Sequence, residues 1–430
     1  MKQQQHTTNK PWKWVPSLYF AEGLPYVIVM VVATIMYKNL GLSNRDIALY
    51  TSWLYLPWVI KPIWSPIVDI LFTKKKWIIV TQTILCIAFA TVAFLIPTPF
   101  YLQATLAAFW IMAFASATHD IAADGFYIAM LNEGEQSFFI GIRNTFYRIA
   151  SITGQGLLVM IAGKIASTTQ SIPLSWSIVF LIVSAIFLTL MLWHLYALPN
   201  YEHDTNNTHE RKNIQQVFND LGNTFVTFFC KKNILFILFF ILTYRLGEAQ
   251  LGKIAQPFML DNVEKGGLAI STELVGFLYG TIGVVALLVG GILGGWAISQ
   301  WGLRKSIIPM ALAMNIPDLL YFLLAQYGVA SSWLIGTCVA VEQLGYGFGY
   351  TAFSMYLIFV SEGEHKTAHY SFGTGLMALG MMLPGMAAGW IEEQIGYAMF
   401  FLWVCVCTIP GILAAAFSTK SIPTTFGKTK

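Results

Sequence analysis

The chain has 430 residues, of which 56% are hydrophobic and only 11% are charged, and its net charge is +4. Soluble proteins contain about 25% charged residues, so the composition excludes an ordinary soluble protein and indicates many membrane crossings. The five cysteines show no zinc-like pairing, and we therefore expect no disulfide, metal site or cofactor. The small positive charge gives no reason to expect nucleic-acid binding.

Runs of about 20 mainly apolar residues, long enough to cross a bilayer as a helix, predict twelve spans. Residues 1–10 are polar, so we interpret the first run as an uncleaved helix. A polar stretch at 199–232 predicts a cytoplasmic linker between an N-terminal half at 1–198 and a C-terminal half at 233–430. The spans are expected at 14–37, 46–71, 77–97, 101–131, 137–165 and 174–198, and at 233–260, 271–299, 305–326, 331–360, 367–391 and 396–418.

Basic residues indicate which loops face the cytoplasm. They follow spans two and eight, precede span seven and lie near both ends of the chain, whereas the opposite loops carry almost none. Both termini are therefore expected in the cytoplasm. The residues concerned are Lys10, Lys13, Lys74, Lys75, Lys76, Lys231, Lys232, Arg304, Lys305, Lys420, Lys428 and Lys430.

A short internal repeat supports two similar halves. Residues 127–135, at the end of span four, resemble residues 356–364, at the end of span ten. Two parallel repeats of six helices are the architecture of major facilitator transporters, whose substrate site lies near the middle of the membrane. The predicted fold class is therefore an all-α membrane protein with this fold.

Charged side chains inside a membrane are costly, and they normally face a pathway or a partner. Most of them lie on spans one, four, seven and ten, which line the cavity in this fold. A carboxylate there can bind a proton and release it again. We predict proton coupling by Glu22, His119, Asp120 and Asp124, with Asp120 as the first choice. Asp124 is expected nearer the cytoplasmic gate, paired with Arg148, and His119 is either a relay or an ordinary hydrogen-bonded histidine.

Arg245 on span seven predicts an anionic substrate, since a guanidinium binds carboxylate or phosphate through paired donors. Glu248, one turn away, and Glu342 on span ten are predicted to bind substrate together with Arg245. Glu248 is also expected to hold Arg245 when the site is empty. The alternative is a permanent internal ion pair of Arg245 with Glu248 or Glu342. Tyrosines on the cavity helices are candidates to stack on a sugar, namely Tyr19, Tyr26, Tyr244, Tyr346 and Tyr350.

Further charges are assigned to gating and to structural ion pairs. Lys61 and Arg148 lie at depths similar to those of Glu22 and Asp124, so pairing that fixes helix register is one interpretation. Asp69, before the lysines at 74–76, resembles part of the facilitator loop motif and is expected to act in closure of the cytoplasmic side. Asp318 on span nine is left open between a structural and a functional role.

Several motifs together resemble the AmpG family of major facilitator permeases, a group that also contains acetyl-CoA transporters. The resemblance covers residues 14–418. Its most specific elements are the segment at 61–69 and the paired aspartates of span four. The matching segments are AEGLP at 21–25, KPIWSPIVD at 61–69, ATHDIAAD at 117–124, YRLGE at 244–248 and AGWIE at 388–392.

The resemblance implies import of anhydromuropeptides, which are sugar-linked cell-wall peptides, across the bacterial inner membrane by a proton gradient. The partners are then a glycopeptide, protons and membrane lipid, and a monomer is expected. This chain departs from the family by His119, where glutamine is usual, and by lacking extra C-terminal helices. The alternative is proton-coupled transport of another anion, such as acyl-CoA, a siderophore or a drug. An intramembrane enzyme or a lipid receptor is disfavoured, because no nucleophile or metal motif is present.

Overall fold

The computed structural model describes residues 10–131, 133–199, 214–328, 331–362 and 366–428, and within these ranges it contains helices and no β-strand. The helices before residue 200 are Pro11–Lys13, Val15–Val27, Ile28–Val32, Ala33–Asn39, Asn44–Trp53, Leu56–Leu71, Lys74–Leu95, Tyr101–Met130, Glu133–Ser151, Ile152–Leu158, Val159–Thr169 and Ile172–Ala197. Those after it are Ile214–Phe229, Ile234–Thr243, Leu246–Leu260, Val263–Lys265, Thr272–Phe277, Leu278–Gly283, Val284–Trp301, Leu303–Asn315, Asp318–Tyr327, Ser332–Ser361 and Lys366–Ser418.

The predicted all-α fold class is confirmed, whereas the count of twelve spans stays a prediction. Over the described ranges, nine helical segments are long and apolar enough to cross a membrane. The last of them, His369–Ser418, is interrupted at Gly396 (φ 74°, ψ 165°), where the sequence predicts the boundary between spans eleven and twelve. Span two is two helices, and the second has a proline in its first turn, where a missing N–H does no harm.

The predicted linker is partly helical. Its last part forms the helix Ile214–Phe229, and Phe225 lies 5.6 Å from Phe372 of the C-terminal half, between ring centroids. Residues 200–213 lie outside the described ranges. The proposed boundaries of the halves therefore stay a prediction.

Glycines allow the two halves to touch along two seams. In the first seam, spans five and eight meet at their π-helical segments, where a Cβ on Gly280 would lie 2.0 Å from Cα of Gly156. In the second, span two meets span eleven, and a Cβ on Gly389 would lie 2.1 Å from the carbonyl oxygen of Asn44. Any larger residue would force the backbones apart. Small residues thus permit close helix packing here, as is usual in membranes.

A polar network, which we call the latch, joins the halves at one end of the bundle. Lys38 Nζ lies 2.5 Å from Asp261 Oδ2 and 2.7 Å from Asn44 Oδ1. Tyr397 donates to the same Asp261 oxygen at 2.5 Å, and Asn44 Nδ2 donates to Glu392 at 2.8 Å. Lys38 ends span one and Tyr397 begins span twelve, so the latch lies at the end opposite to both described chain ends.

The buried apolar side chains form three clusters, one shared by the two halves and one within each half. One large buried cluster contains residues of both halves, such as Val29 and Ile254. Two further clusters are each confined to one half, one around Trp14 and Phe126, the other around Phe240. Span one runs from Trp14 to the latch, so the shared core lies toward the latch and the separate cores toward the chain ends. The halves are therefore held together at the latch end.

We expect Asp261→Asn to weaken closure at the latch end. It leaves the Lys38 ammonium without a carboxylate in a site where the two side chains are only 9% and 12% exposed. Removing one partner of such a pair costs about 3 kcal/mol. Spin labels at the exposed positions Thr168 and Lys265, one in each half, should report a larger population of long distances.

The matched control is Asp46→Asn, which makes the same change at the same end, where the carboxylate accepts from Ser43 of its own half. Its distance distribution should equal that of the unsubstituted protein. Identical distributions for Asp261→Asn and Asp46→Asn would show that the latch does not determine closure.

Candidate functional site

A central cavity lies between the halves and has two compartments that share lining residues. The carboxylate compartment, of about 390 Å³, lies against the charges of spans one and four, and its lining includes Glu22, Trp58, Asp120, Tyr147 and Tyr350. The lysine compartment, of about 220 Å³, is lined by residues that include Tyr55, Gln155, Glu248, Lys253, Gln256 and Glu342. Tyr26, Arg148 and Tyr346 line both.

Three carboxylates, those of Glu22, Asp120 and Asp124, meet beside the carboxylate compartment. Asp120 and Asp124 are four residues apart on Tyr101–Met130 and so share one helix face. Glu22 of span one faces them, and oxygens of the three groups all lie within 4.8 Å of one another. Such a cluster has the geometry of a cation site, and like charges this close repel unless they are neutralised.

Two cations neutralise two of these carboxylates. Lys61 of span two donates to Asp120. Arg143 of span five lies 2.8 Å from Asp124, and its guanidinium stacks 4.4 Å from the ring centre of Tyr19. The ionised cluster of three carboxylates and two cations therefore keeps one net negative charge.

The predicted pairing of Asp124 with Arg148 is wrong, because Arg143 takes that position. Arg148 instead lies in the wall between the two compartments. The two arginines are five residues apart, so they project from different sides of the helix. Packing of span five on span one, where a Cβ on Gly23 would lie 3.0 Å from the Tyr147 carbonyl, determines which arginine reaches Asp124. The only signal in the sequence for this role of Arg143 was that it is a second cation, beside Arg148, on the span that follows Asp124.

The role of Tyr19 also differs from stacking on a ligand. Its side chain is fully buried, and its hydroxyl donates to Asp124 at 3.1 Å. Tyr19 thus supports the pair of Asp124 and Arg143 from behind. A tyrosine that packs under a guanidinium and bonds its partner carboxylate fixes the geometry of both.

His119 takes part in a buried hydrogen-bond chain and faces away from the cavity. Gln82 Nε2 lies 2.9 Å from His119 Nε2, and Gln82 Oε1 lies 3.0 Å from His194 Nδ1. Because an amide nitrogen only donates and an amide oxygen only accepts, His119 Nε2 is an acceptor and His194 Nδ1 carries a proton. His194 Nε2 continues the chain to Ser17 at 2.9 Å. Of the two interpretations from sequence, the geometry favours an ordinary hydrogen-bonded histidine.

Arg245 lies at a break in span seven, between the helices Ile234–Thr243 and Leu246–Leu260. It donates to the hydroxyl of Tyr346, and its guanidinium lies 5.0 Å from the ring centre of Tyr350. Its Nε has no hydrogen-bond partner in the described part of the chain. Within the same ranges no ion pair joins Arg245 to Glu248 or Glu342. Tyrosine contacts thus take the place of both the expected contact with Glu248 and the alternative internal ion pair.

Tyr244 was predicted to contact substrate, and that prediction is wrong. The side chain is 1% exposed, stacks on Phe240 with ring centres 4.9 Å apart, and donates to the Gly349 carbonyl at 3.1 Å. The break in span seven turns Tyr244 into the core of its own half while Arg245 reaches the centre. Tyr346 does line the cavity, as do Tyr26 and Tyr350.

Lys253 is a cavity residue that the sequence interpretation missed. It is 4% exposed, donates to Thr51 of span two at 3.0 Å and lies 5.2 Å from the ring centre of Tyr55. A lysine two turns beyond Arg245, inside a predicted membrane span, was the available signal. Glu342, which was predicted, accepts from Tyr321 at 3.3 Å and from Gln343 at 3.0 Å.

Two candidates from the sequence remain, Asp318 and Asp69. Asp318 is 1% exposed, and its carboxylate oxygens have no partner among the described residues. A Cβ on Gly247 would lie 3.4 Å from it, which places it behind span seven. Asp69 belongs to the helix Leu56–Leu71, but its side chain lies outside what the structure describes.

We expect His119→Gln to preserve the stability of the protein and His119→Ala to lower it. Glutamine offers an oxygen to Gln82 Nε2, whereas alanine leaves that buried donor unsatisfied at a cost of about 1–3 kcal/mol. Thermal unfolding in detergent measures the difference. If His119 were a proton relay, His119→Gln would be stable but would lose proton-linked activity, since glutamine does not titrate.

Comparisons with known proteins agree with this architecture. The model of the family described as Major Facilitator Superfamily matches residues 17–260. The anhydromuropeptide permease of Escherichia coli (strain K12) is 25% identical over 409 residues, which cover 92% of this chain and 77% of that protein. A Rickettsia conorii protein named as a candidate transporter, AmpG 4, is 25% identical over 414 residues, covering 92% and 93%.

Solved structures show the same fold at low identity. A D-xylose–proton symporter matches with a TM-score of 0.73 and 11% identity, covering 97% of this chain and 98% of that one. The nucleoside transporter NupG matches with a TM-score of 0.70 and 16% identity, covering 95% and 98%. With more than half of its residues matched by the family model, this chain belongs to the Major Facilitator Superfamily and is a multi-pass membrane transporter.

Proposed function

We propose that this transporter imports anhydromuropeptides across the bacterial inner membrane together with protons, by alternating access. The similarity to the Escherichia coli anhydromuropeptide permease, over 92% of the chain, supports this substrate. The observation that carries the proton coupling is the cluster of three carboxylates, of which only Asp120 and Asp124 form an ion pair within the described part of the chain. The motif resemblance of the sequence points to the same family.

The basic loops support an orientation with both termini in the cytoplasm. In that orientation the latch of Lys38 and Asp261 closes the periplasmic end. The separate cores of the two halves then lie on the cytoplasmic side. The structure accordingly corresponds to a state that is closed to the periplasm, in which a bound solute would be released inward.

The proton is proposed to reside on Glu22 rather than on Asp120. Lys61 and Arg143 provide cations for Asp120 and Asp124, whereas Glu22 Oε2 has no hydrogen-bond partner among the described residues and the side chain is 7% exposed. A carboxylate without a cationic partner is the costliest charge of the three inside a membrane. One proton on Glu22 makes the whole cluster neutral. A neutral cluster allows the transporter to pass through the occluded state between its two open states.

The substrate is proposed to contact Arg245 and the tyrosines around it. The Nε of Arg245 has no hydrogen-bond partner among the residues that the structure describes, and it can donate to a carboxylate. Tyr346 and Tyr350 offer faces on which a sugar can stack. Arg148, in the wall between the compartments, adds a second cation within reach of both. A peptide-bearing sugar has the groups that these side chains recognise.

Glu22→Gln should uncouple transport from the proton gradient. The amide imitates the protonated carboxyl permanently, so the cluster is neutral without a proton. In proteoliposomes we expect the variant to lose accumulation above equilibrium under a proton gradient while it still exchanges labelled for unlabelled substrate. Glu273→Gln, an exposed position remote from the cluster, is the control and should behave as the unsubstituted protein. Gradient-driven accumulation by Glu22→Gln would remove Glu22 from the coupling mechanism.

The substrate proposal is tested by uptake of labelled anhydromuropeptide into proteoliposomes under a proton gradient, a sodium gradient or neither. We expect accumulation with the proton gradient alone, abolished by a protonophore. Accumulation driven by sodium instead would assign the carboxylate cluster to that ion. No uptake under any gradient would favour the alternative substrate class, anions such as acyl-CoA, siderophores or drugs, which competition binding would then identify.

A further inference from the structure

The lysine compartment contains two opposite charges that do not pair with each other. Glu248 and Lys253 both belong to the helix Leu246–Leu260 and both line this compartment. They are 8% and 4% exposed, respectively. Across the described part of the chain no ion pair connects them. Side chains five residues apart on a helix are not spaced to pair, since pairing positions lie three or four residues apart, so each charge stays available to a ligand in the compartment that both line.

Two hydrogen-bond acceptors of this compartment have no donor among the described residues. Glu248 Oε2 and Gln256 Oε1 are buried, and neither has a hydrogen-bond partner among the described residues. Gln256 is 5% exposed and lines the same compartment. Buried acceptors are almost always satisfied in proteins. A donor that enters from the cavity, such as an ammonium group, would satisfy both.

Lys253, one of the two cations that line this compartment, forms no ion pair within the described part of the chain. The Lys253 ammonium bonds the hydroxyl of Thr51 and lies over the ring of Tyr55, both on span two. A hydroxyl and an aromatic face position the ammonium but leave its full charge uncompensated. A carboxylate is the group that would complete its coordination.

The spacing of the two charges defines the ligand. Glu248 and Lys253 are five positions apart on one helix, which corresponds to about 7.5 Å along the axis and about 140° around it. We propose that the lysine compartment binds a peptide end that carries a free carboxylate, held by Lys253, and a free ammonium, held by Glu248 and Gln256. This inference rests on the proposed transport of a peptide-bearing solute. It adds which end of that solute enters the lysine compartment.

Three matched ligands test this assignment on the purified full-length transporter in nanodiscs. They are an anhydromuropeptide whose peptide ends in lysine, the same compound acetylated on the lysine side chain, and the same compound as its C-terminal amide. Each modification removes one charge from the terminal residue. We expect each to weaken equilibrium binding about 10- to 100-fold, the value of one lost charge-assisted hydrogen bond.

Variants then assign each charge to its partner. Lys253→Gln should abolish the preference for carboxylate over amide and keep the preference for the free ammonium. Glu248→Gln should do the reverse. Lys253→Arg retains the cation and should keep both preferences. Lys265→Gln and Glu264→Gln make the same changes at exposed positions beyond the same span and serve as controls. A merely structural role would lower affinity for the three ligands equally, and that result would overturn the proposal.

A sugar-free set of probes separates this inference from the proposed substrate. Nα-acetyl-lysine has both terminal charges, Nα,Nε-diacetyl-lysine has only the carboxylate, and Nα-acetyl-lysinamide has only the ammonium. If the muropeptides do not bind but Nα-acetyl-lysine alone stabilises the protein against heat, the compartment is confirmed and the substrate is wrong. If muropeptides bind without regard to their terminal charges, the inference falls and the proposed function stands. If neither set binds, both proposals are overturned.

Discussion

The need to compensate every charge inside the membrane organises the N-terminal half. Glu22, Asp120 and Asp124 face one another across spans one and four, and Lys61 and Arg143 arrive from spans two and five to bind two of them. Four helices are thereby fixed around one electrostatic cluster, because removing either member of an ion pair would leave the other as a buried charge without its partner. The cluster still contains one more carboxylate than cations. That single unmatched charge is the simplest physical basis for binding one proton at a time.

The C-terminal half handles its charges differently. Arg245 contacts Tyr346 and Tyr350, Lys253 contacts Thr51 and Tyr55, and Glu342 accepts from Tyr321 and Gln343. Hydroxyls, amides and aromatic rings orient these charges without neutralising them. Ion pairs in one half and unneutralised charges in the other suggest a division of roles in the proposed mechanism. In that proposal the N-terminal half binds the coupling ion, and the charges of the C-terminal half bind an ionic solute.

The sequence predicted the features that depend on periodicity and composition. The helical fold, the shared face of Asp120 and Asp124 and the concentration of charges on the cavity helices all follow from hydropathy and helix geometry. The errors concern helix rotation. Whether Arg143 or Arg148 meets Asp124 depends on how span five packs on span one, and whether Tyr244 or Arg245 faces the centre depends on a break near residue 244. Tertiary packing sets both, and a single sequence does not record it.

Lys253 connects the ligand site to the closure of the bundle. Its bond to Thr51 crosses from the C-terminal to the N-terminal half, close to the seam where Gly385 of span eleven packs against Ser52. A solute can drive alternating access only if it binds the two end states with different free energies. A carboxylate that binds the Lys253 ammonium changes the interaction that holds span two against span seven. In the proposed mechanism the side chain that senses the ligand is therefore also part of the contact between the halves, and no separate relay to the latch of Lys38 and Asp261 is required.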